Sequence, residues 1–140
     1  MSEEKAQQLL YQMQMLETYL GDLINKENNL VNIIREAASA IGSIKALNET
    51  TESETLVPMG IGAFVKAKIQ PNQKLILNLG AGAAVEKDKD SAINYLESRI
   101  KEMEVALRET NARKQEISAS LEQGKQEMNN FVQASRIEKQ

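Results

Sequence analysis

From Ala6 onward the apolar positions fall at spacings of three and four without slipping. The series is Ala6, Leu9, Met13, Leu16, Leu20, Leu23, Glu27, Leu30, Ile34, Ala37, Ile41 and Ile44, and eleven of the twelve are apolar. That is a heptad seam sustained along a single helix. At 1.5 Å per residue such a helix is about 60 Å long, more than so small a protein can cover, so it reads as one strand of a coiled coil. Gly42 weakens its end slightly, and Asn48 to Ser53 form a polar exit. A second seam runs Ile93, Leu96, Ile100, Met103, Leu107, Thr110, Lys114, Ile117, Leu121, Gly124, Met128, Phe131 and Ser135. Nine of these thirteen positions are apolar and all keep one phase. Asp88 or Asp90 can cap that helix.

Between the helices the grammar changes. Phe64-Val65-Lys66-Ala67-Lys68-Ile69 alternates with period two, which predicts a strand. Both prolines and four of the seven glycines lie between Thr55 and Lys87. The stretch also repeats itself, because Met59-Gly60-Ile61-Gly62-Ala63-Phe64-Val65 aligns with Leu79-Gly80-Ala81-Gly82-Ala83-Ala84-Val85. Each copy reads as a strand, a Gly-x-Gly reversal where glycine can take positive φ, and a second strand ending in charge. Two tandem β-hairpins follow, separated by a turn at Gln70 to Gln73.

Four short strands with Phe64 as their only aromatic cannot close a core, and a hairpin alone is marginal in water. They must pair with something, and the same kind of region on another chain is the natural partner. The expected assembly residues are Leu56, Val57, Met59, Phe64, Val65, Ile69, Leu75, Ile76, Leu77, Leu79 and Val85.

Two helices of matched length joined by a compact insert should fold back antiparallel. If Ile44 faces Ile93 beside the insert, counting outward places Glu27 opposite Thr110 and within a turn of Lys114. The polar interruptions of the two seams would then form one layer. Beside the seam, Ile24, Val31, Ile33 and Ala38 widen the apolar stripe of the first helix. At the other end Leu10, Tyr11, Met15, Val132 and Ile137 lie beside or outside the seam. Scattered surface apolars are common and need no explanation. Met and Tyr, however, are adaptable surface formers, and their clustering marks a binding tip. Its candidates are Leu9, Leu10, Tyr11, Met13, Met15 and Leu16 with Met128, Phe131, Val132 and Ile137.

Composition narrows the function. The chain has 140 residues, no Trp, two Phe and three Tyr, which argues against a compact globule. It lacks Cys and His altogether, which removes disulfides, thiolate chemistry, zinc sites and the usual general base. No catalytic constellation is visible, so no enzyme and no cofactor are expected. A net charge of −3 with mixed signs offers no basic face for nucleic acid. With no apolar run of membrane length and no signal-like start, an intracellular, soluble, cytoplasmic protein without membrane contact is expected. Eleven Asn and eleven Gln are not the amide-poor composition of extreme thermophiles.

Other motifs read as structure. Gly60-x-Gly62 and Gly80-x-Gly82 lack the third glycine of a phosphate loop, and Gly62 leads into a strand. Glu86, Asp88 and Asp90 match no EF-hand spacing, and helix capping explains them better. Glu97 with Lys101 is a solvated i,i+4 pair, and Lys66 with Lys68 is a solvent-facing or edge-protecting pair.

A long helix, Val57-Pro58-Met59-Gly60-Ile61-Gly62-Ala63-Phe64-Val65-Lys66-Ala67, a second strand pair with Leu77-Asn78-Leu79-Gly80-Ala81-Gly82-Ala83-Ala84-Val85-Glu86-Lys87, and another long helix together resemble the α-type subunit of archaeal prefoldin. The helices are generic, but the two-hairpin centre is specific, since the β-type subunit is expected to carry one hairpin. The resemblance implies an ATP-independent holdase built from two α-type and four β-type subunits. Its strands would form a double β-barrel platform, and six coiled-coil tips would hold unfolded or nascent proteins and pass them to a group II chaperonin. The expected fold is α+β, an antiparallel coiled-coil hairpin joined by two tandem β-hairpins that form an oligomeric barrel. It is one domain, 1–140, with helices over 1–48 and 88–138 and hairpins over 55–87. A static coiled-coil scaffold with fixed partners is the alternative, and the two differ in whether the tips carry adaptable apolar groups or one fixed docking patch.

Overall fold

The computed structural model describes residues 2–138. Its element order is α1 (Glu3–Lys45), β1 (Ser53–Gly60), β2 (Ala63–Ile69), β3 (Leu75–Gly80), β4 (Ala83–Lys87) and α2 (Lys89–Glu138). The α+β architecture of two long helices around two hairpins is therefore present. Against the expected 1–48 and 88–138, α1 is a few residues shorter and α2 begins one residue later, and local side-chain bonds mark the ends of α1. Ser2 starts α1, its hydroxyl accepting from Lys5 N–H at 3.3 Å. Asn48 closes the exit of α1, its Oδ1 accepting from Thr50 and Thr51 N–H at 2.9 and 3.2 Å.

The two seams set what is buried. Every seam position of α1 and α2 is buried or half-buried, while nearly all other helical positions are exposed. The chain divides into two compact units, with boundaries between Asn32 and Ile33 and between Glu102 and Met103. In the unit containing the first part of α1 and the last part of α2, the helices run antiparallel. Leu23, Ile117 and Leu121 form its core, with Met13, Leu16 and Leu20 packed against them. Gly124 is the small position of this seam. A Cβ there would lie 3.0 Å from Met13 Cγ and 3.1 Å from its sulfur, so Met13 occupies the space glycine leaves.

The other unit holds the hairpins. β1 pairs with β2 and β3 with β4, both antiparallel, in separate two-stranded sheets. Opposed pairs Ser53–Ile69, Thr55–Ala67 and Val57–Val65 share one face of the first hairpin. Glu54–Lys68, Leu56–Lys66 and Pro58–Phe64 share the other. In the second hairpin Leu75, Leu77 and Val85 lie on one face, and Ile76, Asn78, Ala84 and Glu86 on the opposite one.

Both reversals have the same geometry. The register slips by one residue between Pro58 and Gly60 and between Asn78 and Gly80, leaving Met59 and Leu79 unpaired at a bulge. The turn residues are Ile61-Gly62 and Ala81-Gly82, with φ of 48° and 73° in the first and 52° and 78° in the second. Positive φ at both central residues is the turn whose twist matches a hairpin. Both glycines of each Gly-x-Gly take positive φ, as expected, and the residue between them is left-handed as well. Ile61 is the more strained, since a β-branched side chain rarely tolerates that region.

Candidate functional site

Two surfaces stand out, one in each unit. The first is the hairpin surface. In an isolated chain its apolar side chains have little to pack on: Leu56, Val57, Met59, Phe64, Val65, Ile76 and Leu79 are all exposed. Ile69, Leu75, Leu77 and Val85 are half-buried. Val57 and Val65 oppose each other on the face they share with Ser53, Thr55, Ala67 and Ile69, an apolar strip along β2 with hydroxyl groups beside it at the start of β1. The opposite face is apolar toward the turn and charged toward the strand ends, where Lys66 lies 3.8 Å from Glu54 and Lys68 3.8 Å from Glu52. These exposed pairs add little stability but keep that face wet. Ile76 stands on the mixed face of the second hairpin, so Leu75, Leu77 and Val85 are the better candidates there for a buried interface. Ile61, at the turn, is fully exposed at 108%.

The end of α1 and the start of α2 brace this unit. Asp88 caps α2, its Oδ1 accepting from Ser91 N–H at 2.8 Å. That backbone bond, a bond with the Ser91 side chain and the nearby Lys74 and Lys87 hold its carboxyl below the usual range. Lys89 reaches back to the loop that follows α1, donating to the Leu47 carbonyl at 3.0 Å with Glu49 Oε1 at 3.4 Å. It ties the first residue of α2 to the exit of α1. Nothing in the sequence brings these positions together, because the contact depends on the path of the hairpins.

The second surface is the arm end. Leu10, Tyr11, Met15, Val132 and Ile137 are exposed, Tyr11 at 63%. Leu9, Met13, Leu16, Met128 and Phe131 are half-buried in the seam. The ten candidates thus split into groups that water already reaches and groups freed only when the helix ends splay.

The predicted polar layer also lies in this unit. Lys114 Nζ approaches Glu27 Oε2 to 2.8 Å. Thr110 is buried but joins no cross-helix bond, since its hydroxyl donates to the Ala106 carbonyl one turn back at 2.7 Å. The layer is therefore an ion pair beside a self-satisfied threonine. Nearby, and without a sequence signal, Arg113 Nε donates to Tyr19 Oη at 3.3 Å, its guanidinium 5.7 Å from that ring's centroid. Ile24, Val31, Ile33 and Ala38, which widen the apolar stripe of α1, are exposed.

Among the described residues no helix is long and apolar enough to cross a membrane.

A family model described as prefoldin subunit matches residues 2–134. Prefoldin subunit alpha of Nitrosopumilus maritimus is 56% identical over 134 residues, covering 96% of this chain and 92% of that protein. Prefoldin subunit alpha 1 of Thermococcus kodakarensis is 40% identical over 101 residues, covering 71% and 68%. Among solved structures, the prefoldin beta subunit from Thermococcus strain KS-1 superposes with a TM-score of 0.65 at 16% identity, covering 91% of each chain. Filamentous prefoldin from Methanocaldococcus jannaschii gives a TM-score of 0.53 at 24% identity, covering 87% of this chain and 96% of that one. At these identities the structures support the fold alone.

Proposed function

This chain belongs to the prefoldin subunit family, whose members are chaperone subunits, and from that premise we propose that it is the α-type subunit of an ATP-independent holdase. Acting in the cytoplasm as a single domain, it joins β-type subunits, two α with four β, through its hairpins. It holds unfolded or nascent polypeptides at its arm ends and passes them to a group II chaperonin.

The observation that carries this reading is the exposure of adaptable apolar groups at the arm end. Leu10, Tyr11, Met15 and Val132 all meet solvent there. Met bends to fit irregular partners and Tyr offers an amphipathic ring, so together they suit many weak partners better than one fixed one. Several such ends on one assembly would act together, because linked weak contacts multiply through effective concentration. The hairpins support the assembly half of the reading. Their apolar strip at Val57 and Val65 and their open strand edges are surfaces that a partner's strands would cover.

The test is aggregation of several unrelated denatured proteins, with the chain assembled with its β-type partner and no nucleotide present. The complex should suppress aggregation of all of them. Deleting residues 1–12 with 129–140 should leave the assembly intact and abolish most of that suppression. Undiminished suppression by the truncated complex would refute binding at the arm ends.

A further inference from the structure

The arm end is unusual in what it lacks. From Ala6 to Leu16 there is no charged residue, and from Met128 to Ser135 there is none either. At the chain-wide frequency of 26%, these nineteen positions would carry about five charges. Amides stand in their place. Gln7, Gln8, Gln12 and Gln14 occupy the first stretch, and Asn129, Asn130 and Gln133 the second. All seven are exposed. The antiparallel packing that seats Met13 against Gly124 brings the two stretches to the same end of their unit.

Solvation alone does not explain this choice. Elsewhere the helices are wetted by charged side chains, including the Arg99–Glu102 and Arg113–Glu116 pairs one turn apart. Asn is also a poorer helix former than Lys or Glu, so Asn129 and Asn130 weaken the helix they sit in. An amide does one thing that a lysine or glutamate cannot: it donates and accepts together, and it can be covered without stranding a charge.

Two shallow grooves show how this surface is arranged. On α1 a groove is lined by Gln7, Gln8, Tyr11 and Gln12, with Glu4 at one end. On α2 another is lined by Asn130, Phe131, Ala134 and Ser135, with Glu127 and Glu138 at its ends. Each sets amide or hydroxyl groups beside an aromatic ring. The feature every unfolded polypeptide shares, whatever its side chains, is an unpaired main-chain N–H and C=O at nearly every residue.

We propose that this amide-bearing band, with carboxylates only at the ends of its grooves, recognises the main chain of extended polypeptides, its Gln and Asn side chains bonding client N–H and C=O groups while Leu10, Tyr11, Met15 and Val132 cover client side chains. The inference rests on the holdase reading and adds its ligand class, extended main chain irrespective of net charge. Binding then needs no complementary charge and is insensitive to salt.

The test measures binding of a labelled, neutral apolar peptide to the full assembled complex, beside the same peptide N-methylated on alternate amides. Methylation removes donors and should weaken binding roughly three- to tenfold, the range for losing one or two net hydrogen bonds. The triple variant Gln8→Ala, Gln12→Ala, Asn130→Ala should weaken the unmodified peptide by a similar factor and the methylated one much less. Alanine is the better helix former, so the helical signal should hold. If the alanine variant binds as the parent does while Tyr11→Ser, Met15→Ser, Val132→Ser loses binding, the amides only solvate the arm and the inference falls with the holdase reading intact. If it weakens both peptides equally, main-chain bonding is overturned. If neither set of substitutions changes binding, the arm end is not the site and both readings fall.

Discussion

Replacing Lys114 alone should destabilise the arm more than replacing Lys114 and Glu27 together. Only 28% of the Lys114 side chain and 24% of that of Glu27 meet solvent, and the charged atoms are 2.8 Å apart. Glu27 Oε2 is buried, and no other donor among the described residues satisfies it. Removing one partner of a fully buried pair costs about 3–5 kcal/mol. Water still reaches part of Glu27, which reduces the expected loss for Lys114→Leu to about 1–3 kcal/mol. Adding Glu27→Leu removes the stranded carboxylate and places a second apolar side chain in the seam, a gain of about 1 kcal/mol for each leucine at this burial. The double variant should therefore match the parent or exceed it by up to about 2 kcal/mol. At about 3–4 °C per kcal/mol for a chain of this size, single and double variants should melt roughly 10 °C apart. Glu27→Leu alone should be milder than Lys114→Leu, because a lysine stem can carry its ammonium out to water. Thermal melts followed by far-UV circular dichroism give the comparison. If Lys114→Leu and the double variant melt together, the pair is not desolvated and its place in the seam carries no energetic weight.

Three further predictions concern the hairpin unit. Ile61→Asn should stabilise the first hairpin by about 1 kcal/mol, since Asn tolerates the left-handed region that isoleucine is forced into; slower amide exchange in β1 and β2 checks it. Leu77→Asp or Val65→Asp should abolish assembly with β-type subunits while the helical signal survives, and Ile76→Asp on the mixed face should be milder; light scattering separates them. Asp88 titrates below the usual carboxyl range, so its cap is complete above the unfolded carboxyl's pKa and is lost as pH falls through the lower folded value, in the range below about pH 4. The Ser91 amide resonance should report that step, and Asp88→Asn, which caps without a charge, should remove it.

The helices were almost fully legible, because burial in a coiled coil depends on one periodicity. Leu9 through Ile44 and Ile93 through Ser135 could be assigned to a face by spacing alone. The Glu27–Lys114 contact followed from the same counting, given one assumed facing pair. The hairpins were legible in number but not in the frame of their turns. Gly-x-Gly marks each reversal and all four glycines take positive φ, but the bulges at Met59 and Leu79 centre the turns on Ile61-Gly62 and Ala81-Gly82, so a residue that is not glycine is left-handed too. Local propensity opposed that frame, and strand pairing overrode it. Lys89 and the Tyr19–Arg113 contact were invisible because neither is periodic. The arm-end residues were legible too, because seam spacing already separates Leu10 and Tyr11, which water reaches, from Leu9 and Met13, which it reaches only in part.

The seat of Met13 on Gly124 ties two positions more than a hundred residues apart into a single steric unit. Alanine at 124 asks the flexible methionine to yield a few tenths of an ångström, a change either residue can make alone. Anything larger at 124 requires a smaller residue at 13 in the same lineage. An alignment of this family should therefore show the two columns trading volume, large against small. A variant library that randomises either column alone should lose most bulky substitutions that a library randomising both would keep.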